Sequence, residues 1–361
     1  MKLISICGVV AAAAACLSPV KALASCTATG FMRDSINLTA ALIDPAGTVT
    51  GEVNATGCNI GVYYDSHAAH GSAVNGANVH GANYFGIVNN GASINVTNSN
   101  VHDIGETPLN GDQHGVAIYF AFGSTASGTI AGNEIWNYQK GGIVVNGATA
   151  SAAISGNTVI GEGPVNYIAQ NGIEVGYGAK ATVTNNVVFG NSYTGPNFAS
   201  SGGILVFGGP CYGPPNNTTN NVQVNSNTAV GNDVAVWFSN VAADCIHAVS
   251  TQTGDTASGN ILRDNAVTNT TGFDGSTPYQ AGVSDQGDGD SIVQNVICGA
   301  GYAHNPPHIN AIDVSSTHNP IVLFNTVCAA SGSSGSNAAD INAAALAANP
   351  VQLLTVPKVF R

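Results

Sequence analysis

Two short phrases recur along most of the chain and leave few folds open. The first is a small residue followed by alternating apolar ones: Gly86-Ile-Val, Gly115-Val-Ala-Ile, Gly142-Ile-Val-Val, Gly172-Ile-Glu-Val and Gly203-Ile-Leu-Val, with looser copies at Gly61, Asp233 and Ala311. The second is an asparagine two residues before a valine or isoleucine, at Asn133, Asn157, Asn186, Asn265, Asn295 and Asn325; at Asn227 an alanine takes the apolar place. These asparagines lie 24, 29, 41, 38, 30 and 30 residues apart. Repeats of that length signal a solenoid. Each unit holds short alternating runs and no 3.6-residue period, so the solenoid is β. An asparagine suits a tight bend, since it tolerates left-handed backbone and its amide both donates and accepts. Stacked at the ~4.8 Å rung spacing, such amides can bond one another in a ladder. The repeats predict an all-β parallel β-helix of about nine coils, roughly 43 Å long at that rise. Ala77 and Ser99 stand at the asparagine's place in the first two coils.

The remaining segments read as ends. Residues 1–24 form an apolar stretch behind Met1-Lys2 and close on Ala22-Leu-Ala24, the pattern of a secretory signal peptide. No later run is long enough to span a bilayer. Residues 25–59 read as an N-terminal cap, with Ser35–Ile43 as a short amphipathic helix. The β-helix occupies 60–330. Residues 331–361 begin with the linker Ser331–Ser336 and continue as a C-terminal capping segment, helical over Ala339–Ala347. Open ends of such a rod expose unpaired edges, so caps are physically required.

Removing 1–24 removes Lys2 and Lys21, two of the 8 basic residues, and leaves six against 20 acidic ones, a net charge of −14. That argues against nucleic acid and anionic membranes as partners. Six cysteines remain in the exported chain, an even number that favours disulfides. Cys298 and Cys328 each follow a ladder asparagine by three residues, Cys211 and Cys245 lie in the long links of successive coils, and Cys26 can tie the cap to Cys58 in the first coil.

The Gly-Ile-x-Val and Asn-x-Val phrases over about residues 50–330 resemble the superfamily of secreted right-handed parallel β-helix proteins, the pectate-lyase-like proteins. The resemblance implies the fold and a polysaccharide or cell-surface glycan as partner, held in a groove along the first sheet. It transfers no catalytic residues, because neither the polygalacturonase signature nor a pectate-lyase calcium-and-arginine constellation is present.

The chemistry-bearing side chains are therefore read from position. The outward column of the first strand is expected to run Tyr63, Val88, Ala117, Val144, Glu174, Leu205, Ala235, Gly282 and Asp313, with Glu174 as its one mid-rod acid. Loops 103–114, 161–171 and 190–202 would wall that face and bring Asp112, His114, Glu162 and Tyr167. Glu174 with Asp112 or Glu162 suits glycoside hydrolysis. Lys140 or His114 suits proton abstraction beside a uronate. Tyr119, Tyr167, Phe207 and Trp237 are the candidate sugar-contacting rings. Asp285, Asp288 and Asp290, alternating with glycine, resemble a calcium loop, so calcium is the one cofactor the chain suggests. His80 and His102 share a place in successive coils, followed there by Trp136. The same rod without catalysis would be a binding or adhesion scaffold.

Overall fold

The computed structural model describes residues 25–197, 199–214, 217–264, 279–299, 309–314 and 317–328. The expected signal peptide and the C-terminal segment 331–361 lie outside them, as does Asn265. Apart from one 3-10 turn at Pro210–Tyr212, the elements among the described residues are β-strands. They form a parallel β-helix.

One sheet has eleven strands, starting with Thr27–Arg33 and Ile36–Ile43 and continuing with one strand per coil from Ile60–Asp65 to Ile309–Asp313. The second sheet has 18 strands. It holds the second and third strands of every coil and is creased along the asparagine column. By hydrogen bonding there are two sheets, the second folded into two faces. Without the asparagine, Thr48–Asn54 and Ala73–His80 run on as single strands, pairing with left-handed Gly51 and Gly76 at the bend.

Inside, valine and isoleucine stack rung on rung; Val62, Ile87, Ile118, Ile143, Ile173 and Ile204 are one such column, all fully buried. The glycine of the first phrase precedes this column for a steric reason. A Cβ at Gly142 or Gly172 would lie 2.6 Å from the carbonyl oxygen of the next coil's glycine. Alanine fills the same slot at Ala117 and Ala235.

The ladder is continuous. Asn133 donates to Asn157 at 2.9 Å, Asn157 to Asn186 at 2.9 Å, and Asn186 to Asn227 at 3.0 Å. It continues through Asn260 to Asn295 and Asn325. Each amide also donates to a strand carbonyl, as Asn186 does to Ile154. Ser99 takes the ladder place one coil earlier, accepting from the Ala77 N–H and donating its own N–H to Asn133. The left-handed residue is the one before the ladder position: Asn185, Ser226 and Gln294 have φ of 57°, 58° and 57°. The asparagine's role is thus hydrogen bonding, and its neighbour makes the bend. A second, shorter amide pair, Asn191 to Asn232 at 2.9 Å, braces the turn back to the first sheet.

The cap differs from its expected form. Ile36–Ile43 is a strand, not a helix. Its alternate residues Leu38 and Ala40 are buried, and Ala40 and Leu42 pair with Ile60 and Val62 of the first coil. Asp34 and Ser35, with φ of 47° and 65°, make a two-residue hairpin turn back to Thr27–Arg33. Three disulfides join Cys26 to Cys58, Cys211 to Cys245 and Cys298 to Cys328. They point to an oxidising, extracellular or secreted setting. Among the described residues no helix is long and apolar enough to cross a membrane.

Candidate functional site

The outward column of the first sheet runs Tyr63, Val88, Tyr119, Val144, Glu174, Leu205, Trp237, Ser284 and Asp313. Ala117, Ala235 and Gly282, expected here, stand two residues earlier in the inward slot. The phrases starting at Gly115 and Asp233 misled by two residues, because their glycine or aspartate precedes the strand.

This face is covered over much of its length. From the N-terminal end the hairpin folds over it. The ring of Phe31 lies 6.0 Å from that of Tyr63, and the Arg33 guanidinium lies 5.9 Å from the centre of the Tyr119 ring. Further along, the link after Gly208 brings Tyr212 against Phe207 at 4.9 Å, with the Cys211–Cys245 bridge behind it. Gly176 admits the Phe207 ring, since a Cβ there would sit 2.0 Å from it. Tyr119, Phe207 and Trp237 are fully buried. A sugar platform needs an open ring face, so these three serve as packing, with Trp237 directing its indole N–H to Gln286 at 3.4 Å. Tyr167 remains half-buried and is the one expected contact ring still at the surface.

Glu174 lies beneath this cover, 1% exposed, and its Oε2 accepts from the Asn171 amide at 2.9 Å. Asn171 in turn accepts from the Gly202 N–H, so the carboxylate is held to the next coil. Burial pushes the Tyr119 hydroxyl up to about 12, with Arg33 opposing and Glu174 adding to the shift. Lys140 is also buried, and its ammonium donates to the Ala169 carbonyl at 2.6 Å. Glu174 and Lys140 are thus anchored inside, not aimed at solvent. Glu162 is exposed, and its neighbourhood reaches Tyr167, whose hydroxyl is raised by burial first and by Glu162 second. Loops 103–114 and 161–171 touch at Gly111 and the Tyr167 carbonyl.

Polar groups converge at the loop 103–114, where His114 and Tyr84 are largely buried and Glu106 is partly exposed. His114 Nε2 is 2.9 Å from Glu106 Oε1, and its ring stacks on Tyr84 at 4.0 Å. Asn83 donates to the same Glu106 oxygen at 3.0 Å. Buried Gln139 holds the loop: it accepts from the N–H groups of Glu106 and Asn110 and donates to the Asp112 carbonyl. The Tyr84 hydroxyl is raised by burial, then by Asp34, Glu106 and Asp112, while Arg33 lowers it. Those charges therefore surround one tyrosine. A histidine paired with a carboxylate and seated on an aromatic ring can take or give a proton at a bound ligand. Arg33, Tyr84, Asn171 and Gln139 were not read from the sequence. The signal for Arg33 was its rarity as a cation, hidden by placing it in a cap remote from the face.

The expected calcium loop does not form a ligand set. Asp285 points inward at the position of Phe238, and Asp290 is buried, while Asp288 is partly exposed and accepts from the Asn319 amide. Among the described residues these three do not bring their donor atoms within 4.8 Å of one another. Asp290 instead meets Asp255, whose N–H donates to its Oδ1 at 2.7 Å. Burial raises the Asp255 and Asp285 carboxyls well above their ordinary range, and Asp290 adds to both shifts. His80, His102 and Trp136 do stack, at 5.1 and 4.4 Å with nearly parallel planes. The stack runs along the rod, so the rings offer edges, not faces, to a ligand. Glu52 and Asp103 take up those edges.

No family model matches the chain, and no curated protein matches it. Among solved structures, the complex of XylC with xylose aligns at 13% identity and a TM-score of 0.44, covering 67% of this chain and 37% of that one.

Proposed function

We propose that the protein is an exported glycan-binding protein whose contact surface is the N-terminal half of the first-sheet face, between the hairpin and loops 103–114 and 161–171. The observation that carries this reading is the convergence of His114, Glu106, Tyr84 and Asp112 where Tyr167 and Glu162 also reach the surface. A glycan is matched there by hydroxyl-bonding carboxylates and by a ring partly open to solvent. If the bound chain is also cleaved, His114 is the proton-transfer group and Glu106 orients it. Lys140 and Glu174 then support the site from inside: Lys140 ties the entering strand to Ala169, and Glu174 fixes Asn171. A non-catalytic scaffold is the second reading, and the burial of Glu174 and Lys140 favours it over a mechanism that needs either to touch substrate.

A polysaccharide panel tests both. Retardation in glycan-loaded gels reads binding, and reducing ends and absorbance of unsaturated products read cleavage. Where cleavage occurs, His114→Ala is expected to reduce it ~10²–10⁴-fold with binding retained. The glycan reading fails if no polysaccharide retards the protein. The catalytic part fails if His114→Ala and Glu106→Gln both cleave at the parent rate.

A further inference from the structure

At the joint between cap and rod, three donor groups meet that the glycan reading does not use. Asp44 follows the strand Ile36–Ile43, Asp65 ends the strand Ile60–Asp65, and His67 stands two residues on. One ligand atom from each lies within 4.8 Å of the other two, and no second group of three such side chains does so among the described residues. The arrangement is held by backbone. The Asp65 N–H donates to Asp44 Oδ1 at 2.9 Å, the Asp44 N–H donates to the Tyr63 carbonyl at 2.8 Å, and His67 Nδ1 lies 2.8 Å from Asp65 Oδ1. Ligands around an octahedral ion with bonds of about 2.1 Å sit roughly 3.0 Å apart. The Asp65–His67 pair stands at that spacing, and one Asp44 oxygen lies within 4.8 Å of both ligand atoms.

Charge points the same way. Two carboxylates from different strands face each other, and no lysine or arginine pairs with either among the described residues. His67 is the one nearby group able to offset the charge, and its side chain is 85% exposed, so it remains free to turn toward an ion.

We propose that Asp44, Asp65 and His67 bind a divalent first-row metal ion, such as Zn²⁺ or Mn²⁺, which fastens the N-terminal hairpin to the first coil. Two carboxylates and an imidazole suit these ions better than calcium, which takes oxygen ligands alone. Water completes the shell on the exposed side. The ion would act in addition to the Cys26–Cys58 bridge, which joins the same two parts.

The test uses the disulfide-bonded mature chain without a histidine tag, dialysed against chelator. Titration calorimetry with ZnCl₂ and MnCl₂ is expected to show one equivalent bound, with a rise in the thermal midpoint at saturation. Co²⁺ should give a d–d absorption band. His67→Ala and Asp65→Asn should each weaken binding tenfold or more while circular dichroism stays unchanged. No binding by the parent chain overturns the proposal, and so does a loss of less than tenfold in both variants, which would put any ion elsewhere. Neither outcome bears on glycan binding, which is read separately on the panel.

Discussion

Two stacks of short polar side chains run inside this rod, and they differ by one atom per residue. At the crease of the second sheet the stack is of asparagines. At the link into that sheet, near the C-terminal end, it is of aspartates. The backbone makes the same move in both: the Asn186 N–H donates to Asn227 Oδ1 at 2.9 Å, and the Asp255 N–H donates to Asp290 Oδ1 at 2.7 Å. The amide then donates onward, both to the next amide and to a carbonyl, so the stack can extend through rung after rung. The carboxylate only accepts. Asp255 is satisfied by the Val222 N–H and the Asn240 amide, but Asp290 meets a second carboxyl, Asp285, where the ladder would offer an amide. A carboxylate stack therefore accumulates charge and ends after two rungs, whereas the amide ladder runs from Asn133 to Asn325.

Asn186→Leu should break this contrast most severely. It strands the two Asn157 donors and the Ile154 carbonyl and forces a branched chain into a tight crease. The expected loss is more than about 3 kcal/mol, read as a lower denaturant midpoint. A loss under about 1 kcal/mol would mean the amides are passengers of the fold. Asn186→Asp is the sharper probe, since it keeps the acceptor and removes the donor. We expect a loss of about 2–3 kcal/mol near neutral pH. The loss should shrink as pH falls and the new carboxyl takes a proton; a deficit independent of pH would contradict the role assigned to the donor.

The reverse exchange, Asp290→Asn, carries the smallest effect. The Asp255 and Asp285 carboxyls are raised in the folded chain above their unfolded value, so folding is favoured most below about pH 4, and that contribution is lost as pH rises through the folded values. Replacing Asp290 supplies a donor and removes one charge. The variant should be more stable than the parent at pH 8 by about 1 kcal/mol, with the gap closing toward pH 4. Thermal melts of both proteins across that range give the comparison, and a gap that widens in acid would reverse the assignment.

The interior was legible in the sequence because its signal is periodic. Valine and isoleucine recur in register, the disulfide spacings follow the coils, and Ala77 and Ser99 fall where the ladder begins. The errors inside were errors of phase. Asn260 and Asn265 both precede apolar residues, and only the buried hydrogen bonds choose Asn260. The Gly115 and Asp233 phrases carry a small residue just outside the strand, so Tyr119 and Trp237 were separated from the column they belong to. The outer face was less legible for a different reason. What covers it, the Phe31–Arg33 hairpin and the Tyr212 link, occurs once each and has no repeat to locate it. Ser35–Ile43 offers an apolar pattern that a helix would also accept; pairing with the exposed edge at Ile60 decides for a strand.

The ladder also bears on how a chain like this can change length. Each asparagine from Asn157 to Asn295 meets an identical partner above and below, and the bend is made by its immediate predecessor. Asn157 and Asn186 are 29 residues apart. Excising residues 157–185 would place Asn133 directly on Asn186, with the same amide contact and with left-handed Gly156 in the bend. A whole coil can thus leave or enter the gene as one block, without a new partner having to be found on either side of the cut.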